Sequence, residues 1–117
     1  MSALHWIFNW WYAPEPISAE VEKEVEHTIE SNKVLIYSKT FCPFCKSTKA
    51  VFDELGQEYT VVNLNTLEDG LGIQNYLFDK TGQYMVPNVF INGQHIGGNS
   101  DIQKLKQENK LEKLLEQ

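Results

Sequence analysis

The sequence predicts an α/β domain built on one mixed four-stranded sheet flanked by helices. Three observations predict it. Apolar stripes at helical spacing alternate with short apolar and β-branched runs from Ile17 onward. Two of those runs, Val34–Tyr37 and Tyr59–Leu64, are separated by one helix, which makes a β-α-β unit with parallel strands and a right-handed crossover. Asn92-Gly93 then stands between Val89-Phe90-Ile91 and Gln94-His95-Ile96, the signature of a two-residue hairpin and so of antiparallel strands.

The elements follow in order. Ser18 caps a first helix, with Glu20, Glu22 and Glu24 near its positive end and Ile17, Val21, Val25 and Ile29 as its core stripe. Val34 to Ser38 is a buried strand. The next helix places Phe44, Thr48, Val51, Phe52 and Leu55 on one face and stops at Gly56. Tyr59 to Leu64 is the second strand. A third helix, from Asp69 to Lys80, turns Ile73, Tyr76 and Leu77 inward and ends at Thr81-Gly82; beside that set Gln74 reads as a solvated helix residue. Pro87 falls at the start of the third strand, where no ladder donor is needed, and nothing in the sequence shows whether its peptide bond is cis. His95 reads as a strand residue. Asn99 or Ser100 caps the helix carrying Ile102 and Leu105, and Leu111, Leu114 and Leu115 form a short last helix.

Length and composition bound the function. A chain of 117 residues holds one domain, with a formal charge of -6 that disfavours nucleic acid as a partner. All the basic residues are lysine, which argues against a mitochondrial transit peptide. No apolar stretch reaches the ~20 residues needed to span a bilayer. Two cysteines are too few for a secreted disulfide framework, so the expected compartment is the reducing cytoplasm. Residues 1–16 are set apart: an aromatic arm holding all three tryptophans, then the stiff link Ala13-Pro14-Glu15-Pro16. The arm reads as packing on its own domain, with a partner-binding or membrane-touching segment, or a weak anchor, as alternatives.

The two cysteines lie in Lys39-Thr40-Phe41-Cys42-Pro43-Phe44-Cys45, where a strand ends and a helix begins. Pro43 suits the first helical position, which puts Cys42 at the cap, facing free N–H groups. A free thiol of pKa about 8.5 is only slightly ionised at neutral pH. The helix terminus, the Lys39 ammonium and hydrogen bonds from the amides of Phe44 and Cys45 all favour the Cys42 thiolate. Cys45, one turn in, is expected to be shielded and less acidic. One sulfur attacks and the other resolves, which is stepwise thiol–disulfide exchange. Half of a zinc site and two buried structural cysteines are the rival readings; for zinc, His5, His27 and His95 are scattered and supply no second ligand pair.

Taken together the motifs resemble the thioredoxin-like fold and, more closely, dithiol glutaredoxins, whose active site is C-P-Y-C; fungal members look nearest. The resemblance runs from about Ile17 to the C-terminus, over 17–117, and rests on the cysteine motif, Ile73-Gln74, Met85-Val86-Pro87 and Gly97-Gly98-Asn99-Ser100-Asp101. It implies a glutathione-dependent oxidoreductase with glutathione as co-substrate and no metal. By that likeness Cys42 carries the glutathione mixed disulfide. Lys39 and Gln74 hold the glycine carboxylate. Val86, before a cis Pro87, pairs with the cysteinyl backbone. Gly98, Asn99, Ser100 and Asp101 take the γ-glutamyl end, and Thr40, Phe41 and Phe44 border the groove. Phe44 replaces the usual Tyr, and Met85 the usual Thr. The implied partners are glutathionylated or disulfide-bonded proteins met by a monomer. A second implication, from another class, is a [2Fe–2S] cluster held between two protomers by the first cysteine and glutathione; Pro43 argues against it by stiffening that turn.

Overall fold

A computed structural model describes residues 17–117, so the arm and link expected over 1–16 lie outside the described residues. The elements are α1 (Ala19–Ser31), β1 (Val34–Ser38), α2 (Pro43–Glu54), β2 (Thr60–Asn63), a 3-10 turn (Leu64–Thr66), α3 (Gly70–Thr81), β3 (Asn88–Ile91), β4 (Gln94–Gly97), α4 (Asn99–Gln107) and α5 (Leu111–Leu115). The strands lie in the order β2-β1-β3-β4. β1 pairs parallel with β2 and antiparallel with β3, and β3 pairs antiparallel with β4, so the sheet is mixed as expected.

β1 is central and buried along its whole length, which is why Val34-Leu35-Ile36-Tyr37 reads as a continuous apolar run. Its side chains alternate between two cores. Leu35 and Tyr37 meet Val21, Val25 and Ile29 of α1 and Ile73 and Leu77 of α3 on one face. Val34 and Ile36 meet Val51 and Phe52 of α2, Ile102 of α4 and Leu111 and Leu115 of α5 on the other. Each such side chain, fully buried, stabilises the fold by about 1.5–3 kcal/mol before chain entropy is counted. Ser18 caps α1 as predicted, accepting from the Val21 amide at 3.1 Å.

Four boundaries differ from the sequence reading. β2 is shorter at both ends than Tyr59–Leu64 because it has one neighbour only, and its ladder stops with Ser38↔Asn63 at the end of β1. α3 begins at Gly70, with Asp69 at the cap position. β3 begins after Pro87, whose peptide bond with Val86 is cis. α4 is capped by Gly98, and neither Asn99 nor Ser100: the Asp101 carboxylate turns back and accepts from the Gly98 amide at 2.9 Å. The hairpin is as read, with Asn92 at φ 50° and Gly93 at φ 80° forming the positive-φ turn that Asn-Gly favours.

Candidate active site

The site begins where β1 leaves the sheet. Ser38 is buried and Lys39 half-buried. Thr40 is then held twice by Asn65 of the 3-10 turn. Its amide donates to Asn65 Oδ1 at 3.0 Å, and Asn65 Nδ2 donates to its hydroxyl at 2.7 Å. This fixes the loop two residues before Cys42. Sequence reasoning missed Asn65, since only the fold brings it to Thr40.

Cys42 occupies the cap of α2 and Pro43 the first helical position. The two sulfurs are joined as a disulfide with the Cα atoms 5.2 Å apart, so the Cys42 sulfur marks where the thiolate of the reduced protein sits. The Cys45 amide donates to that sulfur at 3.2 Å. The bond comes from Cys45 and not from Phe44, so one of the two expected amides serves. Together with the helix terminus it stabilises negative charge on Cys42. Cys42 is partly exposed and Cys45 is fully buried. One sulfur is accessible to a substrate; the other is accessible to Cys42.

The peptide bond before Pro87 is cis, and the Val86 carbonyl lies 3.9 Å from the Cys42 sulfur. Two side-chain amides brace this loop. Gln83 Nε2 donates to the Met85 and Pro87 carbonyls, both at 2.9 Å, and Gln74 Nε2 donates to the Tyr84 carbonyl at 2.8 Å. Gln74 is therefore not a solvated residue; it is buried, and its side-chain N–H is satisfied by the Tyr84 carbonyl.

An open cleft of about 410 Å³ runs from Phe44 past Val86 and Pro87 to Gly98, Asn99, Ser100 and Asp101, with Gln83 and Met85 completing its walls. Seven of the expected ligand residues thus share one cleft beside Cys42. Lys39, Thr40 and Phe41 stand on the loop before Cys42, and Gln74 is bonded to the Tyr84 carbonyl; none of these four lines the cleft. Phe44 departs from the helical stripe expected of it. It is 67% exposed, while Thr48, Val51 and Phe52 of that stripe are buried. Phe41 and Met85 are both more than 70% exposed, and Met85 lines the same cleft as Phe44. A larger cleft, about 700 Å³, lies among residues flanking the start of β1 and carries none of the expected residues. His95 is a strand residue: its Nε2 lies 2.8 Å from Asn88 Oδ1, and burial lowers its pKa.

A half-exposed sulfur at a helix cap, a buried partner one turn on and a cis-proline loop beside them define a dithiol oxidoreductase of thioredoxin-like fold. The comparisons agree. The glutaredoxin family model matches residues 34–96. Glutaredoxin-1 of Rhizophagus irregularis is 41% identical over 97 residues, covering 83% of this chain and 96% of that protein. Glutaredoxin-1 of Saccharomyces cerevisiae is 40% identical over 104 residues, covering 86% and 94%. Among solved structures, the buckwheat glutaredoxin–glutathione complex superposes with a TM-score of 0.81 at 36% identity, covering 86% of this chain and 94% of that one. This chain belongs to the glutaredoxin family.

Proposed function

We propose that the protein reduces glutathione mixed disulfides and protein disulfides, with glutathione as the electron donor. Cys42 attacks the substrate disulfide, takes up one half as a mixed disulfide and releases the other as a thiol. A second glutathione thiolate then attacks that bond and leaves as oxidised glutathione. On a protein disulfide, Cys45 attacks instead, releasing the reduced protein and closing the Cys42–Cys45 bond, which two glutathiones reopen. The observation that carries this reading is the Cys42 sulfur 3.9 Å from the carbonyl of Val86, a residue lining the cleft that also holds the Gly98–Asp101 turn.

Glutathione placement follows the chemistry of its ends. The cysteinyl part lies along Val86, whose carbonyl is near the sulfur. The γ-glutamyl end has a carboxylate and an ammonium. The first amides of α4, with Ser100, suit the carboxylate, and Asp101 suits the ammonium. Lys39 takes the glycine carboxylate. Gln74 contributes through the amide hydrogen not given to Tyr84. The protein's net charge of -6 repels anionic glutathione at long range, so these local groups do the holding. The superposition with the buckwheat complex supports this placement by likeness.

The polypeptide part of a protein substrate meets Phe41, Phe44 and Met85. We assign the redox domain to 17–117 and the arm to 1–16, acting as a monomer in the reducing cytoplasm. Among the described residues no helix is long and apolar enough to cross a membrane. No specific observation favours the cluster-bridged dimer. The direct test is turnover of a glutathionylated peptide with glutathione, glutathione reductase and NADPH. Glutathione-dependent NADPH consumption is expected, and its absence contradicts the proposal.

A further inference from the structure

We propose that Thr48 is a positioning residue for glutathione, acting through the side chain of Asn99. The proposal rests on the assignment of the Gly98–Asp101 turn to the γ-glutamyl end.

Thr48 lies on α2, one turn after Cys45, and is wholly buried. A threonine inside a helix ordinarily returns its hydroxyl to the carbonyl four residues back. Thr48 instead reaches across to α4 and donates to Asn99 Oδ1 at 2.9 Å. Gln103, one turn along α4, donates to the same oxygen at 3.3 Å. A carbonyl oxygen has two lone pairs, and both are now used. The orientation of the Asn99 amide is thereby fixed, with its oxygen turned to protein donors. Its two Nδ2 hydrogens are left for the cleft that Asn99 lines.

That polarity suits an anion. A carboxylate can only accept hydrogen bonds, and Asn99 offers only donors. Without the Thr48 hydroxyl, the amide is held by Gln103 alone and can turn its oxygen toward the ligand carboxylate. The Thr48 hydroxyl gives its hydrogen bond to Asn99 and not to the Cys42 sulfur, which accepts from the Cys45 amide. Its effect falls on binding.

The test is steady-state kinetics with a glutathionylated peptide on Thr48→Val, Thr48→Ser, Asn99→Ala and the Thr48→Val/Asn99→Ala double variant. Valine keeps the volume and removes the hydroxyl. Thr48→Val is expected to raise KM about fivefold, the loss of roughly one hydrogen bond, with kcat and the pH profile of Cys42 alkylation as in the wild type. Thr48→Ser is expected to restore KM. In the Asn99→Ala background Thr48→Val is expected to add nothing. An unchanged KM in Thr48→Val, or an equal rise with Asn99 already removed, overturns the proposal. A wild-type KM in Asn99→Ala overturns the assignment of the turn itself, and the proposal with it. If Thr48→Val does not fold by circular dichroism, the wild type is titrated with S-methylglutathione and its Asn99 side-chain amide followed by 15N NMR. Those signals are expected to shift, and unmoved signals overturn the proposal.

Discussion

The backbone amide of Cys45 donates to the sulfur of Cys42 at 3.2 Å, while the Cys45 side chain itself is fully enclosed. On the proposed mechanism the same residue helps to activate the nucleophile and holds the second sulfur in reserve. In the reduced protein, iodoacetamide is expected to alkylate Cys42 first and at a rate that stays high well below pH 7. A rate that rises only near the pKa of a free thiol, about 8.5, contradicts this. Lys39→Gln should slow alkylation at acid pH only modestly, because a partly exposed charge contributes about 1 kcal/mol or less.

A second prediction concerns the link between α1 and α3. The Tyr76 hydroxyl donates to Glu26 at 2.6 Å, and Lys80 pairs with the same carboxylate at 2.9 Å. Tyr76 donation, then Lys80, holds the Glu26 carboxyl below its ordinary value, and Glu26 in turn pushes Tyr76 up to about 12. The lowered carboxyl contributes stability above its unfolded pKa, and that stability is lost as pH falls through the folded value. Glu26→Gln is therefore expected to lower the urea midpoint at pH 7 and to narrow its distance from the wild type near pH 3. The Glu26 side chain is 36% exposed, which limits the effect to about 1 kcal/mol or less. Equal differences at both pH values would rule the carboxylate out as the source.

Much of this was legible in the sequence because it rests on local signals. The strand before the cysteines, Pro43 at the first turn, the Asn92-Gly93 turn and the apolar stripes each follow from neighbours a few residues away. Polar contacts across the fold have no such period. Asn65 meets Thr40 over 25 residues of chain, and Thr48 meets Asn99 over 51. Gln74 looked solvated because its partner, the Tyr84 carbonyl, is exposed as an acceptor only when the chain leaves strand geometry before Pro87. Phe44 continues a helical stripe on paper, yet it faces the cleft because the first turn of α2 borders the site.

The aromatic segment supplies a third prediction. All the groups given a chemical role lie at or after Lys39. Deleting Met1–Tyr12 is expected to leave turnover of a glutathionylated peptide within about twofold of the full chain, since none of those groups is removed. Loss of most activity in a truncated protein that keeps its circular dichroism spectrum would give the segment a part in the reaction.

The central claim is the division of labour between the two sulfurs, and one paired assay tests it. On the proposed mechanism deglutathionylation needs Cys42 alone, since a second glutathione frees it, whereas the dithiol route on a protein disulfide also needs Cys45. On the same mechanism Cys45 diverts the Cys42–glutathione intermediate into the internal disulfide, so its removal closes a side path. Cys45→Ser is expected to retain or raise deglutathionylation while losing most dithiol activity on a protein disulfide, and Cys42→Ser to abolish both. Loss of deglutathionylation in Cys45→Ser as complete as in Cys42→Ser would contradict the account.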